Sequence, residues 1–169
     1  LVRAYARLAR RNLLPGDTRL VLAGRRGWLA EGIDRAIAAS GCAERIVTPG
    51  YVAAEDLAAL LSGALAFVMP SWYEGFGLPV LEAMACGAPV VCSRASSLPE
   101  VAGVAALLFD PADEGALAEA LARLAGDPAL RAELALRGLR RARAFTWERC
   151  AEIVLSALEE VGSEGTRGT

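Results

Sequence analysis

Apolar residues along the chain recur at two spacings, one that suits helices and one that suits short buried strands. Leu1, Tyr5 and Leu8 fall at helical spacing with Arg on the other side, so residues 1–12 read as an amphipathic helix, which Pro15-Gly16-Asp17 breaks. Arg19-Leu20-Val21-Leu22-Ala23-Gly24 is a short apolar run ending in Gly, the pattern of a buried parallel strand. The alternation continues with helices predicted over 28–40, 54–62 and 79–86, and strands over 45–48, 64–69, 89–92 and 105–109. Glu55 and Asp56 open the second of these helices, where the positive end of the helix dipole favours acids. A short helical turn is predicted over 98–102, and Gly41, Pro49-Gly50, Pro70 and Gly87 punctuate the series. From Asp113 the texture changes to helix alone, over 113–125, 128–144 and 146–161, with Thr146, Glu148 and Arg149 forming a capped start to the last. Residues 162–169 are rich in Gly, Ser and Thr and are predicted to form a disordered tail, leaving 1–161 as one domain. The first helical pattern lacks a start Met or a cap, which predicts a chain that begins in mid-protein.

Strands that alternate with helices imply right-handed crossovers and an α/β fold: a Rossmann-like parallel sheet with helices on both faces and a helical C-terminal end. In such folds a ligand sits at the carboxyl ends of the strands. The loops after Ala23, Thr48, Met69 and Cys92 are therefore where chemistry is expected.

Composition narrows the field. A chain of 169 residues suits one compact domain. It can bury roughly 70% of its unfolded surface, and 54% apolar content agrees with a proper core. Net charge is −2 and pI is about 5.3, which argues against general nucleic-acid binding. All 18 basic residues are Arg, with no Lys and no His. Cys42, Cys86, Cys92 and Cys150 form no CxxC pair, so reduced, buried thiols are expected rather than a zinc site or a disulfide framework. No apolar run approaches the roughly 18 residues that span a bilayer and no signal peptide opens the chain, so a cytoplasmic location is expected.

The densest of the strand-end loops is Pro70-Ser71-Trp72-Tyr73-Glu74-Gly75-Phe76-Gly77-Leu78, running into Pro79 and the next helix. Gly75 and Gly77 allow a sharp turn with exposed N–H groups. Pro79 suits a first helical turn, where its missing N–H costs nothing. A helix that opens after such a loop presents free donors and a positive dipole end, which suits a phosphate. Between Pro79 and Cys86 every residue but Glu82 is apolar, so the helix is expected to be buried nearly all round and Glu82 to need a partner. That partner is either a pair of ribose hydroxyls or, more plainly, the helix dipole or an Arg such as Arg94. Glu74, taken alone, reads equally as a solvated loop carboxylate.

Glu74-Gly-Phe-Gly-Leu-Pro-Val-Leu-Glu82, two Glu separated by seven residues, resembles the signature of retaining GT-B glycosyltransferases. More narrowly it is similar to their family 4 (glycosyl transferases group 1), which includes bacterial mannosyltransferases and relatives of sucrose and glycogen synthases. The flanks match as well: Phe67-Val68-Met69-Pro70-Ser71 before, Ala83 to Val91 after, then Ser97-Leu98-Pro99-Glu100-Val101. Gly50-Tyr51-Val52 with Asp56-Leu57, and Phe145-Thr146-Trp147-Glu148, extend the likeness over residues 1–161. The resemblance implies that Glu74 contacts the donor sugar near the reacting carbon and that Glu82 holds the ribose hydroxyls. It further implies that N–H groups of Gly75, Phe76 and Gly77 bind the sugar, that those of Leu78 and Val80 meet the diphosphate, and that Gly50 and Tyr51 pack against the base. The implied donor is a nucleotide diphosphate sugar, GDP-mannose or a UDP-hexose, with no cofactor or metal required. The implied acceptor is a saccharide or lipid-linked saccharide, held by an N-terminal half that this chain does not include.

Family members carry an Arg and a Lys upstream that clamp the diphosphate; this chain has no Lys, and Arg25 and Arg26 have no assigned role. Weak nucleotide binding is therefore the expectation for the chain itself, and catalysis for its full-length parent. Arg137, Arg140, Arg141 and Arg143 read as a solvated face, or else as a contact to an anionic membrane surface. Trp72 and Tyr73 read as sugar-pocket, core or rim residues, and Ile153, Leu155 and Leu158 as partly exposed on the last helix. Two other readings stand beside this one: a GT-B-fold nucleotide-sugar epimerase, which should lack the Glu74–Glu82 pattern, and a non-catalytic nucleotide-binding module. No GxGxxG follows a strand, which disfavours a dehydrogenase.

Overall fold

A computed structural model describes residues 1–25, 27 and 30–165, and in it strands and helices alternate as the pattern predicts. The elements are α1 (Val2–Arg10), β1 (Leu20–Ala23), α2 (Glu31–Ala38), β2 (Ile46–Gly50), α3 (Ala54–Ser62), β3 (Phe67–Met69) and α4 (Leu78–Ala85). They continue with β4 (Val90–Ser93), α5 (Leu98–Ala102), β5 (Ala106–Phe109), α6 (Glu114–Gly126), α7 (Pro128–Ala142) and α8 (Trp147–Gly165).

Every strand pairing is parallel, but the strands form two sheets where one was expected. β1 pairs β2, with Leu20 opposite Ile46 and Val21 opposite Val47, before the register slips to set Ala23 opposite Gly50. In the other sheet β4 lies between β3 and β5, so that Val90 faces Phe67 on one side and Ala106 on the other. Among the described residues β1 and β3 are each paired on one side only, and both line a cleft of about 1070 Å³. Pro49 lies within β2, beyond the expected end of that strand. A prolyl nitrogen is tolerated there because β2 has only one neighbour to bond.

The three-stranded sheet carries the core. All four residues of β4 are buried, as a strand covered on both faces requires. Side chains alternate across it. Val90 and Cys92 join Leu61, Val80, Met84, Leu98 and Val101 under α3, α4 and α5, while Val91 joins Leu8, Leu117, Leu121 and Leu124 under α1 and α6. α7 closes over α4 at Gly138, where a Cβ would come within 3.1 Å of the Met84 side chain. Tyr5 anchors a smaller cluster with Ala6, Ala9 and Cys42, and its hydroxyl donates to the Thr18 carbonyl at 2.7 Å.

Caps set the helix starts. Asp113 and Asp127 accept the N–H groups of Ala116 and Leu130 at 2.9 Å each, and Thr146 Oγ1 accepts that of Arg149 at 3.1 Å. α8 runs on to Gly165, past the expected end at Val161, so residues 162–165 are helix rather than tail. Residues 166–169 lie outside those described, as do Trp28 and Leu29, where the helix now seen as α2 was expected to begin, and Arg26. Among the described residues, no helix is long and apolar enough to cross a membrane.

The thiols are free, and they divide in a way the composition does not show. Cys42 and Cys92 are buried, whereas Cys150 is exposed on α8, contrary to the expectation of buried thiols throughout. Burial pushes the Cys92 thiol up to about 12, so it stays protonated at neutral and mildly alkaline pH. Alkylation of the native chain at pH 8, followed by mass spectrometry, should label Cys150 rapidly and leave Cys92 unlabelled until denaturant is added. Rapid native labelling of Cys92 would contradict the closed core around β4.

Candidate functional site

The parallel sheet delivers two loops side by side at its carboxyl edge, residues 70–77 after β3 and residues 94–97 after β4. Serines lock them together. The Ser93 hydroxyl, at the buried end of β4, donates to the Ser71 carbonyl. Ser96 Oγ accepts the Glu74 N–H at 2.8 Å, and Ser97 Oγ lies 2.9 Å from the Phe76 carbonyl and 3.1 Å from that of Glu74, donating to them. Ser96 holds φ at +47°, a left-handed conformation that costs a non-glycine residue of order 1 kcal/mol or more and is kept only where the surroundings impose it. Ser71 belongs to the loop and flank that the sequence marked, whereas Ser93 and Ser96 were not among its candidates. The available signal was Ser93, a lone hydroxyl closing an apolar strand.

These bonds tie down the carbonyl side of the turn and leave its N–H side open. Among the described residues, the N–H groups of Gly75, Phe76, Gly77 and Leu78 donate to no acceptor. Backbone donors left without a protein partner must be met by water or a ligand. Four in succession at the start of α4 make a concentrated positive edge, reinforced by the helix dipole. The Val80 N–H, by contrast, is bonded to the Gly77 carbonyl at 2.9 Å, and its side chain is fully buried. Of the two N–H groups assigned to a diphosphate by resemblance, Leu78 alone is uncommitted.

The glycines differ too. Gly77 is left-handed at φ +102°, and a Cβ there would meet Leu98 Cδ2 at 2.7 Å. Gly75 has neither a positive φ nor any atom within 4 Å of a Cβ position, so the sharp turn expected of both belongs to Gly77.

Glu74 is half-buried, and one oxygen of its carboxylate accepts the Ser71 hydroxyl at 2.7 Å. Glu82 corrects the expectation of a helix buried nearly all round. Val80, Ala83 and Met84 face the core, while Leu78, Pro79, Glu82 and Ala85 form an open face. An entirely apolar sequence carries no phase information, so the lone acid is the residue that marks which side faces out. Glu82 makes no ion pair among the described residues, with Arg94 or any other Arg. It also lies beyond the first helical turn, where the dipole acts most strongly.

The cleft between β1 and β3 is lined by Gly24, Arg25 and Gly50 at the ends of β1 and β2, and by Pro70 and Pro79, which bracket this turn. Its volume of about 1070 Å³ is at the upper end for small-molecule sites. Gly50 is left-handed at φ +78°, and its carbonyl accepts the Gly24 N–H at 2.8 Å. Tyr51 beside it is 69% exposed, with the Arg25 guanidinium 5.5 Å from its ring centre. Trp72 and Tyr73 are exposed rather than core. Of the Arg cluster at the end of α7, Arg137, Arg140 and Arg143 are exposed and Arg141 is half-buried; Arg137 also reaches the Val104 carbonyl, and Arg141 those of Glu100 and Val101.

The family model described as "Glycosyl transferases group 1" matches residues 1–127. O-antigen chain mannosyltransferase B of Escherichia coli is 44% identical over 149 residues, which is 86% of this chain and 39% of that protein. Sucrose-phosphate synthase from Thermosynechococcus elongatus superposes with a TM-score of 0.79 at 31% identity, covering 96% of this chain and 43% of that one. Anabaena HepE, solved in complex with UDP, superposes with a TM-score of 0.81 at 23% identity, covering 95% and 44% of the two chains. The chain thus spans about two fifths of the length of that mannosyltransferase.

The two glycines give a direct check on the turn. Gly77→Ala should cost about 1–3 kcal/mol through its backbone strain and the Leu98 clash, read as a lowered urea midpoint. Gly75→Ala should stay within about 0.5 kcal/mol of the parent. Equal losses would contradict the turn as described.

Proposed function

We propose, for a chain that belongs to the group 1 glycosyl transferases, that it is the donor-binding half of a retaining hexosyltransferase acting on a nucleotide diphosphate sugar. The observation that carries this reading is the run of four N–H groups, Gly75 to Leu78, without an acceptor among the described residues, in the segment between Pro70 and Pro79, which both line the cleft. Main-chain donors held in place before the ligand arrives suit a diphosphate whose negative charge grows as it leaves. In this reading the N–H groups of Gly75, Phe76 and Gly77, which the resemblance gave to the sugar, therefore join that of Leu78 on the diphosphate, and the bonded Val80 N–H does not. The exposed carboxylate of Glu82 then takes two ribose hydroxyls. The half-buried carboxylate of Glu74, already held by Ser71, takes hydroxyls of the transferred sugar. Tyr51, with Arg25 over its ring, provides a face for the base.

In this mechanism the bond from the anomeric carbon to the diphosphate oxygen breaks as the acceptor oxygen bonds to that carbon on the same face. The leaving oxygen takes the acceptor proton. The protein's share is positioning and charge stabilisation.

The rest of the enzyme would supply two things. One is a strand in the cleft between β1 and β3, whose open edges both border it; this would unite the two sheets in the order β2-β1-new-β3-β4-β5. The other is an acceptor-binding half. The sugar is mannose in this reading, carried on GDP, on the strength of the mannosyltransferase relative at 44% identity. The complex of HepE with UDP makes UDP the alternative carrier. A saccharide or lipid-linked acceptor in polysaccharide synthesis follows, at the cytoplasmic face of a membrane that the exposed Arg140 and Arg143 would approach.

Calorimetric titration of GDP, UDP and ADP into the chain and into Glu82→Ala tests the reading. One nucleotide should bind selectively, and losing the carboxylate should weaken it roughly ten- to hundredfold, about 1.5–3 kcal/mol. If none binds at millimolar concentration, or if Glu82→Ala binds as tightly as the parent, the donor-site reading fails.

A further inference from the structure

The N–H groups of Gly75, Phe76 and Gly77 can act as a fixed set only if something holds that turn still. Gly75 and Gly77 have no side chains, so Phe76 is the only side chain through which the protein can grip it. The serine loop holds the turn by its carbonyls, and a hydroxyl can swing.

Phe76 is 47% exposed, yet its ring is not free. It meets the ring of Phe145 edge to face, with centroids 6.0 Å apart and planes at 79°. Phe145 sits in the short connection between α7 and α8, and its own backbone is fixed there. The N–H groups of Ala144 and Phe145 donate to the carbonyls of Arg141 and Ala142 at 3.0 Å each. The Arg141 guanidinium lies 4.7 Å from the centre of the Phe145 ring. The same guanidinium donates to the carbonyls of Val101 and Glu100, at 2.9 and 2.6 Å, at the end of α5. α5 begins at Leu98, immediately after the two serines that brace the turn from the other side. The contacts therefore close a ring: turn, Phe76, Phe145, Arg141, α5, Ser96-Ser97 and back to the turn.

We propose that Phe145 is a positioning residue for the anion-binding turn, holding Phe76 from outside so that the N–H groups of residues 75–77 keep one orientation. The proposal rests on the donor-site reading for its effect on binding, and on the aromatic contact alone for its effect on the turn. Phe145 touches no substrate in this account and acts only through Phe76.

Phe145→Leu keeps an apolar side chain and removes the edge-to-face contact. It should weaken the favoured nucleoside diphosphate about three- to tenfold while leaving binding of the bare nucleoside unchanged, because only the diphosphate meets the turn. Phe145→Tyr should restore the parent affinity. In a Phe76→Leu background the same substitution should add little, since the pair acts as a unit. The amide NMR signals of Gly75 and Gly77 should move in Phe145→Leu without any nucleotide present, with the thermal midpoint close to that of the parent. Equal losses for diphosphate and nucleoside, or additive losses with Phe76→Leu, would overturn the proposal. If the parent binds no nucleotide, it is the donor-site reading that fails. Unmoved Gly75 and Gly77 amide signals would then overturn the positioning role separately.

Discussion

Backbone N–H groups must be satisfied, and from Gly75 to Leu78 four in succession find no acceptor among the described residues. The rest of the site is arranged around that unmet demand. The carbonyls of Glu74 and Phe76 are both met by the Ser97 hydroxyl from the neighbouring strand end, so rotating either peptide inward would give up that bond. Gly77 takes the left-handed conformation that starts α4 and leaves Leu98 just enough room. A positive edge results, made from main chain in a protein with no Lys and no His.

Such a turn needs a rigid mount, and the three-stranded parallel sheet provides it. β4 is buried on both faces, and its residues point alternately into the cluster under α4 and the cluster under α6. α4 is pinned from behind by Gly138 of α7, whose missing side chain lets the two helices close on Met84. The same α7 carries Arg141 to the end of α5 and leads to Phe145, so the packing that secures the core also reaches the turn. β1 and β2 are more open, with Val21 and Val47 exposed, and they meet the other sheet across the cleft.

Much of this was legible in the sequence, and the exceptions follow a physical pattern. The βα alternation and the Thr146 cap came from periodicity and punctuation, which report local structure faithfully. Family resemblance named Glu74 and Glu82 as a pair, and the structure puts Glu74 immediately before the segment bearing the free N–H groups and Glu82 about one helical turn after it. The outward face of α4 differs from the expectation because a helix with one polar residue, Glu82, has no polar stripe to set its phase. Gly75 and Gly77 looked equivalent because only coordinates reveal φ and the distance to Leu98. The Arg cluster of α7 read as one solvated face, yet Arg137 and Arg141 turn back to carbonyls contributed from some 30 to 40 residues away in the chain. The split sheet, likewise, is a matter of which strands find neighbours, and strand spacing alone does not encode it.

The central claim is that the main chain of residues 75–78 receives a diphosphate, and a crystal structure of the chain with the bound nucleoside diphosphate tests it most directly. The account predicts phosphate oxygens within about 3.2 Å of at least two of the nitrogens of Gly75, Phe76, Gly77 and Leu78, with the ribose at Glu82. A diphosphate bound elsewhere, with those four N–H groups still facing water, would contradict it.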